Sequence, residues 1–313
     1  MSRVLLTGAS GFIGANALEL LLEQGHEVHA VARRSGPARP GVEWHEADLL
    51  APGGAEALAA GVGAERLLHL AWYATPGSFW SAPENERWID ASLRLLRAFG
   101  EAGGRRAVIA GTCAEYAWGD ELLSEDLTPL EPATLYGACK HATHVAATAV
   151  AQQLDVSLAW GRIFFLYGPR EDTGRLVAGV TRSLLAGEEV PTTDGLQLRD
   201  FMHVRDVAAA FVALLASDVM GAVNIATGNA VPVRDVAMLI GREAHALERL
   251  RVGALTQRPG EPAVIAGDAR RLSREVGFQP AVALQEGIAE TVAWWRAEME
   301  RGGPPAGDRG GGR

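Results

Sequence analysis

Tyr136 and Lys140, in Tyr136-Gly137-Ala138-Cys139-Lys140, stand four apart and share one face of a helix. A phenol titrates near ~10 and is a poor proton donor or acceptor at neutral pH. An ammonium beside it favours the phenolate and lowers that value. The pair can then pass a proton to or from a carbonyl or alcohol while hydride moves to or from a nicotinamide. Thr112, in Ala110-Gly111-Thr112-Cys113-Ala114-Glu115-Tyr116, offers a hydroxyl that could hold the reacting oxygen. A dinucleotide has a matching cradle in Thr7-Gly8-Ala9-Ser10-Gly11-Phe12-Ile13-Gly14, where the glycines fall three apart. Glycines permit a tight turn and a close backbone approach, and the helix that follows presents free N–H groups to a pyrophosphate. Each motif alone has a plainer reading: a surface helix, a strand–turn–helix packing, a strand-end hydroxyl bonded to backbone. Together they are specific.

These residues need elements to position them. Strands are expected at Arg3–Thr7, Glu27–Ala32, Val42–His45, Arg66–Ala71, Ala107–Gly111 and Ser157–Phe164, with helices such as Glu84–Glu101 and Tyr136–Leu154 between them. In the first helix Ile13, Ala17, Leu20 and Leu21 have the spacing of one buried face. Continuous apolar strands alternating with amphipathic helices imply an α/β fold, a doubly wound parallel sheet of the Rossmann type covered on both faces. After Tyr167-Gly168-Pro169 the pattern loosens. The expected division is a dinucleotide-binding domain over 1–168, a smaller substrate-binding lobe over 169–302, and a disordered Gly/Pro/Arg-rich tail over 303–313. A helix at Val207–Ala216 and a strand at Ala222–Ala226 return, within 204–226, to the first domain.

Composition narrows the partners. Of 313 residues 48% are hydrophobic, enough for a large core, and 29 basic against 38 acidic residues leave a net charge of −9. No basic stretch is interleaved with aromatics, which argues against nucleic acid. The apolar runs are too short to span a bilayer. Two cysteines, Cys113 and Cys139, suit a reducing cytoplasm, and a first strand at the N-terminus leaves no room for a signal peptide. His141 and His144 are three apart but have no third ligand in view, so no metal is expected. Trp294 and Trp295 read as packing residues of the last helix.

The glycine segment Thr7–Gly14 resembles the T-G-A-x-G-F-I-G form of the extended short-chain dehydrogenase/reductases position by position. The spacing of Thr112, Tyr136 and Lys140 also fits that family, and the likeness runs from Arg3 to about Trp295. It implies a Thr112–Tyr136–Lys140 catalytic set, with Lys140 holding the cofactor ribose. It further implies cofactor contacts at Gly8, Gly11, Phe12, Ile13, Gly14, Asp48, Leu49, Leu70 and Ala71 besides Tyr136 and Lys140. Asp48 would meet the adenine; its plainer reading is an N-cap. Family dimers form through two helices, here Glu84–Glu101 and Tyr136–Leu154, so a homodimer is expected.

The second strand ends at Ala32, where an NAD binder usually carries Asp or Glu for the ribose 2′-hydroxyl. Arg33 and Arg34 follow, and a guanidinium suits a 2′-phosphate, which points to NADP(H). On the substrate side, Arg162-Ile163-Phe164-Phe165-Leu166-Tyr167-Gly168-Pro169 resembles the R-x-x-N-x-Y-G-P stretch of nucleotide-sugar enzymes, with Phe165 in place of asparagine. Arg199-Asp200-Phe201-Met202-His203-Val204-Arg205-Asp206 resembles R-D-F-x-H-V-x-D, and Arg258-Pro259-Gly260-Glu261 the R-x-G-D segment. The resemblance implies that Arg199 and Arg258 bind a substrate diphosphate and Glu261 a ribose. The plainer reading is two ion pairs, Arg199 with Asp206 and Arg258 with Glu261.

The 4,6-dehydratases carry Asp-Glu directly after the Thr112 position; this chain has Cys113-Ala114, which argues against water elimination. Cys113 reads as a buried inert thiol. The expected activity is NADPH-dependent reduction of a nucleotide-activated keto sugar, at C4 of a 4-keto-6-deoxyhexose. The alternative is an NAD-dependent nucleotide-sugar epimerase. A non-catalytic cofactor sensor ranks last, because the tyrosine and lysine are both present.

Overall fold

Val4, Leu5, Leu6 and Thr7 are wholly buried, so the first strand has packing on both faces and can only lie inside a parallel sheet. The computed structural model describes residues 2–302 apart from Asp120 and Arg258; the expected disordered tail, 303–313, lies outside them. The first half runs β1 (Arg3–Thr7), α1 (Phe12–Glu23), β2 (Glu27–Ala32), β3 (Val42–Glu46), α2 (Gly54–Val62), β4 (Arg66–His69), α3 (Glu84–Glu101), β5 (Arg106–Thr112), α4 (Leu135–Gln153) and β6 (Ser157–Ile163). The second half runs β7 (Phe165–Tyr167), α5 (Leu176–Leu185), β8 (Val190–Pro191), β9 (Leu198–His203), α6 (Val204–Ala216) and β10 (Gly221–Ile225). It ends with β11 (Ala230–Pro232), α7 (Val233–Glu243), β12 (Leu250–Arg251), β13 (Val264–Ile265), α8 (Arg270–Arg274) and α9 (Leu284–Glu300).

Seven strands form one all-parallel sheet in the order β10-β6-β5-β4-β1-β2-β3. The strand order reverses between β1 and β4, and the crevice at their carboxyl ends is where such sheets take ligands. One face packs against α1 and α6, the other against α2, α3 and α4. Leu18 and Leu21 carry the inner face of α1 with Gly14 and Ala17; Ile13 and Leu20, expected there, are only half-buried.

Two strands are shorter than the sequence pattern suggests. β4 ends at His69, where β1 ends beside it: Leu70 N still donates to Thr7 O, and Ala71 N then donates to the Thr7 side chain, Oγ1, instead of to strand backbone. The run Ser157–Phe164 is broken at its last residue, where the chain leaves the main sheet and β7 pairs with β9. That second sheet, β11-β9-β13 with β7, and helices α5, α7 and α9 enclose a separate core around Tyr167, Val177, Phe201, Ile240 and Ile288. Strand β10 belongs to the main sheet, and α6 is part of its cover.

Candidate active site

At the carboxyl end of β1, Gly8 adopts φ +72°, a left-handed conformation that favours glycine. A Cβ on Gly14 would lie 2.0 Å from the Gly8 carbonyl oxygen, so α1 can press onto the turn only with glycine there. Gly11, the N-cap of α1, offers no side chain to the first-turn N–H groups, and no acid stands in that turn. They are left for an anion. A cavity of about 300 Å³ opens over this turn. Its walls include Gly8, Gly11, Phe12, Ile13, Gly14, Leu70 and Ala71, all expected from sequence, and Trp72, Glu171 and Arg175, which were not. His69 ties the floor together: Nδ1 pairs with Thr7 Oγ1 at 2.6 Å and Nε2 with Ser92 Oγ at 3.0 Å. Burial lowers its pKa to about 3, so the ring is neutral.

Thr112 ends β5 and caps a short turn, Cys113–Glu115; its Oγ1 accepts Ala114 N at 3.2 Å. The hydroxyl proton is still free to donate. α4 starts behind its own cap, Thr134, and a Cβ on Gly137 would meet Ala114 O at 2.1 Å. That contact lets the helix press on the turn and brings Tyr136 to Thr112. Burial raises the Tyr136 phenol to about 12, while its side-chain interaction with Thr112 and the charge of Arg175 pull it down. Phe79 and Trp80 meet the Tyr136 ring edge-on at 5.0 and 5.8 Å.

Lys140 is 3% exposed. Its ammonium donates to Ala110 O at 2.7 Å and lies 3.7 Å from the centre of the Trp72 ring. Burial lowers it to about 7, opposed by the charge of Glu115. The expectation from spacing was that Lys140 tunes the phenol directly. In this structure the ammonium points into β5, and the cation whose charge lowers the Tyr136 phenol is Arg175.

Behind the site lies a buried network that local sequence reasoning missed. Glu115 Oε1 accepts Thr112 N and Trp160 Nε1, both at 2.8 Å, and Oε2 accepts Arg162 Nε at 2.9 Å. Arg162 Nη1 donates to Tyr116 Oη at 2.9 Å, and that hydroxyl to Asn224 Oδ1 at 2.7 Å. The one local signal was Thr112-x-x-Glu115, a capping-box spacing. The network also changes the reading of His141 and His144. A third potential ligand, the Glu115 carboxylate, does stand near both. Arg162 occupies it, however, and approaches His144 Nδ1 at 3.5 Å, so a fixed positive charge already fills the place.

Cys113 is buried, and burial with the Glu115 charge lifts its thiol to about 12. It is no thiolate at neutral pH. Cys113→Ser is therefore expected to keep turnover, and iodoacetamide to leave activity intact; inactivation by either would give the thiol a role in the reaction.

Across the crevice, Arg199, Phe165 and Glu261 come together. Arg199 Nη2 donates to Glu261 Oε1 at 3.0 Å, and its guanidinium carbon lies 5.6 Å from the Phe165 ring centre. The plainer pairing of Arg199 with Asp206 is not what forms. Asp206 instead accepts Ala281 N and Val282 N, tying α6 to the loop before α9. Arg258 lies outside the described residues. Asp48 does not cap α2, which begins six residues later; its Oδ1 accepts Leu50 N in a local turn. Leu49 is buried under α2. Arg33 and Arg34 are exposed in the loop after β2. Glu46 closes that loop by accepting Ser35 N at 2.9 Å, and Arg34 contributes to holding its carboxyl below the usual range, after the Ser35 bonds. Trp295 is buried and Trp294 half-buried, and both belong to α9.

An all-parallel sheet reversing at β1/β4, a glycine turn beneath a cavity and a Thr–Tyr–Lys set at the same edge define an extended short-chain dehydrogenase/reductase. The chain belongs to the NAD dependent epimerase/dehydratase family, whose model matches residues 4–226. It is 28% identical to a UDP-glucose 4-epimerase of Corynebacterium glutamicum, over 89% of this chain and 91% of that one. It is 31% identical to the UDP-glucose 4-epimerase of Mycolicibacterium smegmatis, over 95% of this chain and all of that one. Among solved structures, MoeE5 in complex with UDP-glucuronic acid and NAD is similar with a TM-score of 0.83 and 32% identity, over 95% of this chain and 99% of that one. Among the described residues, no helix is long and apolar enough to cross a membrane.

Proposed function

We propose that this enzyme reduces a nucleotide-activated keto sugar with NADPH, at C4 of a 4-keto-6-deoxyhexose. The observation that carries this reading is the meeting of Thr112 and Tyr136 beside the glycine cavity, with Cys113 and Ala114 where a dehydratase needs acids. When bound, the nicotinamide supplies the hydride. Thr112 holds the substrate oxygen, and Tyr136 gives its proton to the alkoxide as it forms. Lys140 anchors the cofactor ribose. The free N–H groups at the start of α1 hold the pyrophosphate. In this reading 1–168 with 204–226 carries the dinucleotide and 169–302 the sugar nucleotide. Arg199 and Arg258 take the diphosphate through charge-assisted forks, and Glu261 takes the ribose. Val145 and small neighbours Ala138, Ala142 and Ala149 line the exposed side of α4, which suits the expected homodimer.

The test is turnover of NADPH with a panel of NDP-4-keto-6-deoxyhexoses, followed by nicotinamide absorbance. Steady consumption with one of them supports the reading. Two long-range relatives named as UDP-glucose 4-epimerases favour a second reading, an epimerase that retains NAD. Its mark is interconversion of UDP-sugars with no net cofactor consumption.

The choice of NADP(H) rests on Ala32 and the exposed Arg33 and Arg34. A charge-assisted bond to a 2′-phosphate is worth about 1.5–3 kcal/mol, or roughly 10–100-fold in affinity. Arg33→Ala should weaken NADPH by that factor and leave NADH unchanged, as read by fluorescence titration. Equal effects on the two would remove the 2′-phosphate role.

A further inference from the structure

Strands β2 and β3 carry a second constellation away from the glycine cavity. Glu27 and His29 on β2, and Glu43 and His45 on β3, are each two apart and so face the same side of the sheet. The parallel register sets His29 beside Glu43 and Val31 beside His45. β3 is the edge strand, so the group runs from a buried floor to an open rim. The His29 side chain is 6% exposed, His45 23% and Glu43 65%.

Their donor atoms converge. His29 Nδ1 and His45 Nε2 are 2.9 Å apart, a ring-to-ring hydrogen bond that a bound ion would replace as the two nitrogens part by a few tenths of an ångström. Glu43 reaches to 3.7 Å from the first nitrogen and 3.8 Å from the second, through different oxygens. That is too far for hydrogen bonds to either ring. It suits a shared ion, since zinc sits about 2.0–2.2 Å from nitrogen and carboxylate ligands, which separates neighbouring ligand atoms by roughly 3.3–3.5 Å.

The outer contacts are also in place. The other ring nitrogen of His29, Nε2, meets Glu27 Oε1 at 3.1 Å, and Arg3 grips Glu27 at 3.2 and 3.4 Å. A carboxylate on the far nitrogen fixes the tautomer, leaves the Nδ1 lone pair facing His45, and raises its basicity as a ligand. We propose that His29, His45 and Glu43 bind a divalent ion of the zinc class, with three protein ligands and a position open to solvent. The ion clamps the edge strand onto β2 one residue before Ala32, at the base of the loop that carries Arg33 and Arg34.

Metal-stripped full-length protein titrated with Co²⁺ tests this, with zinc in competition and metal analysis after dialysis. One equivalent should bind with visible absorption, displaced by Zn²⁺, and the melting temperature should rise on loading. Glu27→Gln should weaken binding roughly 10–100-fold. His45→Ala and Glu43→Gln should abolish the stoichiometric equivalent while the metal-free melting temperature stays near the parent's. Glu43 is exposed, so Glu43→Gln decides the matter if His45→Ala fails to fold. Absence of a stoichiometric equivalent in the parent, or parent-like binding in Glu43→Gln, overturns the proposal.

Discussion

Tyr136→Phe is expected to lower kcat by roughly 10²–10⁴-fold, the usual worth of a positioned general acid, and to leave cofactor affinity unchanged. The ring has no reason to move. Phe79 and Trp80 pack on its edges, the Tyr136 N–H is held by Trp80 O, and the residue sits in the first turn of α4 behind the Thr134 cap. Only the hydroxyl is lost. The pH dependence follows from the same group. With the phenol raised to about 12, it stays protonated across the working range. Reduction, which needs the acid form, should therefore hold its rate into mildly alkaline solution, whereas the reverse oxidation, which needs the phenolate, should rise with pH. Thr112 and Arg175 both lower the phenol, so removing either should push these limbs further to high pH. Single-turnover kinetics with a substrate found in the panel read the effect. Turnover in Tyr136→Phe equal to the parent's would take the proton transfer away from this residue.

The parts of this site legible in the sequence are those whose cause is local. Gly8, Gly11 and Gly14 are needed by a turn and a helix that begin within a few residues of one another, and Tyr136 and Lys140 by one helical face. The all-parallel sheet followed from apolar runs such as Val4–Leu6. What stayed hidden is non-local. Arg162 was read as part of a motif on β6, and Glu115 only as a neighbour of Thr112; their pairing depends on β5 and β6 lying side by side. Trp72 covers Lys140 because Asn85, wholly buried at the start of α3, holds its indole N–H at 2.8 Å. Arg175 reaches the phenol from beyond the second sheet's first strand. Arg199 found Glu261 rather than Asp206 because Asp206 is drawn to the backbone before α9. No spacing rule reports contacts of this kind.

Glu115→Gln is expected to cost about 3–5 kcal/mol of stability, as for a buried ion pair with one partner removed. Glu115 and Arg162 have side-chain exposures of 0% and 1%. Three donors converge on the carboxylate: Oε1 serves Thr112 N and Trp160 Nε1, and Oε2 serves Arg162 Nε. An amide can keep the first two bonds through its oxygen, but then its NH₂ faces the Arg162 donor and leaves a buried cation unpaired. The pairwise double variant Glu115→Leu with Arg162→Met removes both charges and should recover part of the lost stability, since a buried pair replaced by apolar groups is often neutral, while Thr112 N and Trp160 Nε1 are left without their acceptor. Activity should not follow. Thr112 loses the acceptor for its N–H and half of its capping box, and Lys140 loses the carboxylate that opposes its fall to about 7. In Glu115→Gln the uncompensated Arg162 adds to that fall. The folded-state pKa of Lys140 then drops further, its ammonium is lost at lower pH, and any rate that depends on it should move to the acid side. Urea unfolding and a pH–rate profile on the same three proteins separate the two roles. Full stability in Glu115→Gln would refute the buried-pair account, and a double variant with both stability and kcat restored would reduce Glu115 to packing.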